Sequence, residues 1–321
     1  MRQAGRILPP YRQLRAKHDS ILTLFQTPEL AAQITLMPVE LLEVDAAILF
    51  TDLVTPLGPM GCPYEYDPGP IFARPVRTRQ DVERLRPLDP ESDLPFVLEA
   101  VRLVRRGLPA QVPLIGYGGA PFTLAAWLVE GGTSKDFSRC RALLYSDPQT
   151  AHLLLDKLTE ALIAFLQAQI RAGAQAVQLF DTSAGVLSRE AFAQFALPYV
   201  QRVCAALAPL GVPRLYFALG VPHCLALLAQ TGAEVLSLDW RTDLAEAHRC
   251  LGQGLVLQGN LDPCLLYSPP DAIVRQLRRL LETVRGRPHI FNLGHGLLPD
   301  VPFANVRLFI DTVHRFSQES P

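Results

Sequence analysis

Arg2, Arg6, Arg12 and Arg15, with Lys17, precede the first acid of the chain, Asp19. A guanidinium presents a planar fork of donors that matches the oxygen pair of a carboxylate. Several forks around one turn therefore suit a ligand that carries several acid groups. The competing reading is a solvated basic arm for nucleic acid or membrane. Gly5, Pro9 and Pro10, set among Ile7, Leu8 and Tyr11, favour a folded turn over such an arm. Two further residues carry chemistry. Asp52 follows an apolar run and precedes Leu53-Val54, so its carboxylate meets apolar surroundings in which it needs donors or a cation; its alternative role is to cap a turn. His295 lies between Gly294 and Gly296, which let a ligand come close to the backbone.

Composition narrows the setting. The chain has 321 residues, 49% hydrophobic and 19% charged, with a formal net charge of -1. It is long enough for one large core or two modest ones, and it has no general pull toward polyanions, which argues against nucleic acid. The charge-free stretch Val112 to Val129 is split by Pro113, Gly116, Gly118, Gly119 and Pro121. It reads as a buried strand, a tight turn and a helix start, and not as a membrane span. No leader-like segment opens the chain, and a cytoplasmic location is expected. Cys62, Cys140, Cys204, Cys224, Cys250 and Cys264 contain no CxxC spacing, so they are expected to be reduced thiols, mostly buried, with no metal bound. Lys17, Lys135 and Lys157 are the sole lysines, which leaves few candidates for a Schiff base.

These residues need a scaffold. Strands are predicted at Val44–Phe50, Val112–Tyr117, Ala174–Phe180, Pro213–Ala218, Glu234–Leu238, Leu255–Gln258 and His289–Leu293. Helices are predicted at Asp147–Ala172, Ser188–Leu207, Pro270–Val284 and Pro302–Phe316. The alternation allows a closed (β/α)8 barrel or an open doubly wound sheet. Unusual residues, many of them polar, recur directly after the strands: Thr51-Asp52, Gly118-Gly119-Ala120-Pro121, Asp181-Thr182-Ser183 and Gly294-His295-Gly296. A barrel, whose strand ends share one active face, accounts for that recurrence, and no phosphate-binding glycine motif supports the open sheet. The fold expected is a single-domain (β/α)8 TIM barrel over 1–321. Seven strands are one short of it, so the first strand is expected to be missing or truncated at the N-terminus, unless Pro70–Val76 supplies one. Residues 64–95, rich in proline and charge, are expected to form an excursion near the barrel mouth, either a lid or a surface loop.

Five segments together resemble the uroporphyrinogen decarboxylase family: Met1-Arg2-Gln3-Ala4-Gly5-Arg6, Phe50-Thr51-Asp52, Gly119-Ala120-Pro121-Phe122-Thr123-Leu124, Gly259-Asn260-Leu261-Asp262-Pro263 and Asn292-Leu293-Gly294-His295-Gly296. The resemblance runs along the whole chain in order. It implies a TIM barrel, usually homodimeric, that converts the four acetate side chains of uroporphyrinogen to methyl groups without a cofactor, in haem synthesis. The substrate would carry eight carboxylates, which suits the arginine turn. By resemblance Asp52 accepts from the pyrrole N–H groups and stabilises a developing cation. Arg2 and Arg6 bind carboxylates, and Arg2 is a candidate for assisting proton delivery. Gln3, Ala4 and Gly5 line the same turn; Thr182 and His295 bind substrate carboxylates from later strands.

Two positions depart from the family pattern. Trp127, expected by the resemblance to bind substrate, stands where tyrosine is usual, which keeps a donor but removes the phenol, and Thr182 stands where serine is common, which keeps the hydroxyl. The nearest alternative enzyme is a corrinoid-linked methyltransferase of the same barrel, whose relatives bind zinc through His-x-Cys and a later cysteine. Here His223-Cys224 lack the gap, and His295 stands where that cysteine is expected. A second alternative is a porphyrinogen-binding protein without catalysis.

Overall fold

The computed structural model describes residues 4–66, 69–252 and 254–319, with side chains from 6 to 318 within those ranges. Arg2 and Gln3 of the expected site lie outside the described residues, and Ala4 and Gly5 enter only through the backbone of a 3-10 turn, Ala4–Ile7.

Seven parallel strands form one sheet in sequence order: β1 (Ala47–Ile48), β4 (Leu114–Gly119), β5 (Ala176–Asp181), β6 (Arg214–Ala218), β7 (Val235–Ser237), β8 (Val256–Leu261) and β9 (His289–Leu293). β2 (Tyr64–Tyr66) and β3 (Pro70–Phe72) make a separate antiparallel hairpin. The strand expected near Pro70 therefore exists but belongs to this hairpin and not to the main sheet. Helices follow the parallel strands, the order a barrel requires because each crossover must return the chain to the same end of the sheet. Among the described residues no ladder joins β9 to β1. The helical layer spans that opening: Arg307, on helix Phe303–Glu319, donates to the Leu41 carbonyl at 3.1 Å and pairs with Glu43 at 2.8 Å. A second apolar cluster, including Leu8, Ile34, Leu261, Leu293 and Phe309, fills the space beneath.

Local sequence explains the element ends. Helix Pro148–Ala172 starts where the Asp147 side chain accepts from the Thr150 N–H at 3.0 Å, and stops at Gly173. Helix Pro121–Glu130 opens on a proline and ends at Gly131, whose φ of 89° suits glycine. The helix expected over Ser188–Leu207 is two helices, Arg189–Phe195 and Leu197–Leu207. Pro198 lacks the N–H needed to continue the first helix, and it starts the second instead.

β1 is shorter than the expected Val44–Phe50. It pairs with β4 at Leu114 and Ile115 only, and the chain then leaves the sheet. The ladder groups of Tyr117 are taken over by a side chain: Gln169 Oε1 accepts from the Tyr117 N–H and Gln169 Nε2 donates to the Tyr117 carbonyl, both at 3.0 Å. Gln169 is fully buried, so Gln169→Leu strands two main-chain groups away from water. Each such group costs about 1–3 kcal/mol, and urea unfolding should show a loss of about 2–4 kcal/mol; a loss under about 0.5 kcal/mol would contradict this role.

Candidate active site

A cavity of about 990 Å³ opens at the C-terminal ends of β1, β4 and β5. Its inner wall is apolar and aromatic, with Ile48, Phe50, Leu53, Tyr117 and Phe180; Arg6, Arg12 and Arg15 stand on another side. Three of the expected site residues, Arg6, Asp52 and Thr182, line this one space. The lining is not uniformly basic, since Asp19, Glu65 and Asp300 also reach it.

Asp52 is held by its own turn. Its Oδ1 accepts from the Val54 N–H at 3.1 Å, and its N–H donates to Thr55 Oγ1 at 3.3 Å. Thr55 in turn contacts Thr51 Oγ1 at 3.1 Å, and the Tyr117 hydroxyl donates to the Thr51 carbonyl at 2.5 Å. The carboxylate thus does cap a turn, and the same turn aims it into the cavity. Two tyrosines of the hairpin face it. Burial first, and the Asp52 charge second, hold the phenols of Tyr64 and Tyr66 far above their ordinary range, so both remain protonated donors.

The arginine turn is built by its own guanidiniums. Arg12 Nε donates to the Arg6 carbonyl at 3.1 Å, and another Arg12 nitrogen reaches the Pro299 carbonyl on the loop after β9. Arg15 binds the His18 carbonyl. These partners are neutral oxygens, and among the described residues Arg6, Arg12 and Arg15 form no ion pair. Their charges therefore remain available to an acidic ligand.

His295 sits further round the mouth, with its ring 6.1 Å from Phe217 and 6.4 Å from Trp240. It is not among the residues lining the cavity beside Asp52, although Phe217 connects it to the lining residue Phe180 at 5.9 Å. Gly294 permits the placement, because a Cβ there would lie 2.5 Å from the Trp240 nitrogen. The same wall holds buried Asp239, which accepts from the Gly220 N–H at 2.5 Å and from Arg241 at 3.0 Å; Arg241 stacks 4.2 Å from Trp240.

Trp127 is not brought to the cavity. It lies on helix Pro121–Glu130 against Phe137, and a Cβ on Gly69 would be 3.8 Å from its ring. It supports the hairpin from behind. His223 contacts the Leu187 carbonyl at 2.9 Å, and Cys224 is buried in the core. Cys62, Cys140 and Cys204 are also buried, with burial raising the Cys62 thiol to about 11, whereas Cys250 and Cys264 are exposed. Among the described residues no three of His, Cys, Asp or Glu gather as a metal would require.

Sequence reading missed the two hairpin tyrosines. The alternation Tyr64-Glu65-Tyr66 was a usable signal, because residues two apart in a strand share a face.

The model of the family described as uroporphyrinogen decarboxylase (URO-D) matches residues 1–316. A uroporphyrinogen decarboxylase of Syntrophotalea carbinolica is 50% identical over 319 residues, covering 99% of this chain and 93% of the relative. One of Geobacter metallireducens is 48% identical, covering 99% and 94%. Among solved structures, a methyltransferase from Methanosarcina mazei superposes with a TM-score of 0.78 at 22% identity, covering 95% of this chain and 90% of that one. A B12-independent methionine synthase from Shewanella sp. W3-18-1 gives 0.62 at 12% identity, covering 91% and 88%. At these identities the likeness is one of fold, a TIM-barrel-like α/β architecture.

Asp181 shows how a strand end can mislead. Its register partners place it with Leu179 and Tyr216 on the helix-facing side of the sheet, where it is fully buried. Thr123 donates to it at 2.6 Å and Tyr216 at 2.8 Å. Burial outweighs both donors and pushes its carboxyl up to about 6. The folded state thus holds the proton longer than the unfolded chain. The stability this contributes is complete below about pH 4 and is lost as pH rises through about 6. Asp181→Asn removes that dependence. The stability of the natural chain relative to the variant should fall by about 2 kcal/mol between pH 4 and 7, as read by denaturant titration at each pH; a flat difference would refute it.

Proposed function

The chain belongs to the uroporphyrinogen decarboxylase family, and from that premise we propose how its residues perform the reaction. The protein is a carboxy-lyase of porphyrin biosynthesis that acts on the acetate side chains of uroporphyrinogen. The observation that carries the residue assignment is the union, in one cavity, of a turn-fixed carboxylate and three arginines that form no ion pair among the described residues.

Loss of carbon dioxide leaves an electron pair that needs a sink. The pyrrole supplies one when a proton adds to a ring carbon. The ring cation then takes up the pair as the C–C bond to the carboxylate breaks, giving an exocyclic double bond. A second proton on that exocyclic carbon forms the methyl group, and the ring proton leaves. The balance is one carboxylate and one proton in, one methyl group and one carbon dioxide out. The decarboxylation is therefore proposed to need no cofactor.

Asp52 supplies the fixed negative charge. It accepts from the pyrrole N–H groups and stabilises the ring cation in a largely apolar recess, where electrostatic contributions are larger than in water. Arg6 binds a carboxylate of the substrate at the opposite wall, and Thr182 offers a hydroxyl from the end of β5. Arg2, together with Gln3, Ala4 and Gly5, is assigned to carboxylate binding on the same turn, with Arg2 assisting proton delivery. His295 binds a carboxylate further round the mouth. Trp127 is assigned to support of the hairpin over the site, in place of direct contact.

We place the protein in the cytoplasm as a homodimer. Among the described residues no helix is long and apolar enough to cross a membrane. Exposed Tyr267 at the end of the 3-10 helix Pro263–Tyr267, Leu298 on the loop after β9 and Phe303 at the start of helix Phe303–Glu319, which Asn305 ties to the Leu266 carbonyl, offer apolar surface for self-association.

Reduced uroporphyrinogen incubated with the protein alone should show four successive losses of about 44 mass units. Asp52→Asn should keep the fold, by circular dichroism, and lose at least about a hundredfold in turnover, the scale of a missing preorganised charge. Turnover within about threefold of the natural chain would exclude Asp52 from this role.

A further inference from the structure

The hairpin of β2 and β3 is fastened firmly to the barrel. The Phe72 N–H donates to the Gly131 carbonyl at 3.0 Å, the Val76 N–H to the Leu128 carbonyl at 3.1 Å, and Arg77 Nε to the Val129 carbonyl at 3.0 Å. All three acceptors belong to the end of the helix that carries Trp127. The hairpin's inner face is aromatic: Tyr66 stands 5.9 Å from Tyr64 and 6.1 Å from Phe25, and Tyr64 stands 5.6 Å from Phe72. Tyr66 therefore has a defined place, on the cavity wall and facing Asp52.

Its hydroxyl is buried and makes no close hydrogen bond among the described residues. Such a group costs about 1–3 kcal/mol, a penalty that a phenylalanine at the same position would not carry. The ring alone would satisfy the packing. The hydroxyl needs a separate reason, and the acceptor it faces is the carboxylate on which the reaction depends. A carboxylate accepts at about four lone-pair sites, so a phenol and the pyrrole N–H groups can bind it together.

We propose that Tyr66 is a positioning residue for decarboxylation, its phenol donating to the Asp52 carboxylate when substrate fills the cavity. The bond fixes the carboxylate against the pyrrole nitrogens and keeps it ionised in its apolar recess. Because Tyr64 and Tyr66 both stay protonated beside Asp52, neither acts as a base. Trp127 acts through the same device, as a bulky support that holds the hairpin in register over the site.

This inference rests on the assignment of Asp52, and its test separates the two. Tyr66→Phe keeps the ring and removes the donor. The expected result is a fall in kcat of about tenfold with KM changed less than about threefold. The acid limb of kcat against pH should also move up by about one unit, because a donor lost from the ionised form raises the carboxyl's pKa. Substrate carboxylates titrate alike in both proteins and do not produce the difference. In an Asp52→Asn background the same substitution should change turnover less than about twofold.

An unchanged acid limb and kcat in Tyr66→Phe, while Asp52→Asn alone is inactive, would overturn the inference and leave the Asp52 assignment standing. Equal losses in both backgrounds would also overturn it, since Tyr66 would then act independently of Asp52. Normal turnover in Asp52→Asn would overturn both. Should Tyr66→Phe melt at a lower temperature, 3,5-difluorotyrosine at position 66 keeps the size and strengthens the donor. The acid limb must then move down, and a limb that stays in place would refute the bond.

Discussion

The amide of Gln169 lets β1 stop early. Within the sheet β4 has β5 on one side and β1 on the other, and it loses β1 after Ile115 because the chain turns away into Thr51-Asp52. The buried amide reproduces the missing ladder on Tyr117. The chain after β1 is then free to fold into the short turn that presents Asp52, and the Tyr117 hydroxyl holds that turn through the Thr51 carbonyl. A side chain from the helical layer thus fixes the geometry of the site by completing the sheet beneath it.

The electrostatic arrangement follows from the same economy. A chain with a formal net charge of -1 cannot draw a polyacid by its overall field. It can hold one only by setting positive groups where no acid neutralises them. The arginine turn achieves this by using backbone carbonyls as structural partners for Arg12 and Arg15. A carbonyl orients a guanidinium without cancelling its charge, whereas a carboxylate would do both. Many ion pairs elsewhere are exposed and of little energetic weight; Arg202 with Asp156 and Glu160 is an example, whereas Arg241 pairs with the buried Asp239.

Much of the scaffold could be read from residue type and spacing. β9 begins and ends where its apolar run does, and helix Pro270–Val284 was legible from its proline start and one-sided apolar pattern. The misreadings have physical causes. An apolar run such as Val44–Phe50 does not reveal how far its neighbour will follow it, which is a tertiary matter. Asp181 and Thr182 are adjacent in sequence, yet strand alternation sends one to the helical layer and the other to the cavity. Arg6, Arg12, Arg15 and Asp52, which line one cavity, stand out in the sequence because charged residues beside apolar runs are costly. For Tyr66 the alternation in Tyr64-Glu65-Tyr66 marks a shared face but not what its hydroxyl meets, which depends on the tertiary placement of the hairpin.

That distinction between ring and hydroxyl also separates what this fold shares from what this chain does. A methyltransferase at 22% identity and a methionine synthase at 12% share the architecture, so the sheet, its crossovers and its apolar layers do not select a reaction. The sheet even tolerates an open seam. Ile290 shares the inward face of β9 with Asn292 and is 41% exposed, because among the described residues β9 has no partner beyond it. The helical layer and the second apolar cluster span the seam, and the strand ends that bear Asp52, Thr182 and His295 stay in place. On the proposed assignment, selection of the chemistry rests on few atoms: a carboxylate aimed by its turn, guanidiniums whose partners are neutral carbonyls, and the phenols that face the carboxylate. Each is set on a strand end or a fastened hairpin, and each can change without disturbing the sheet.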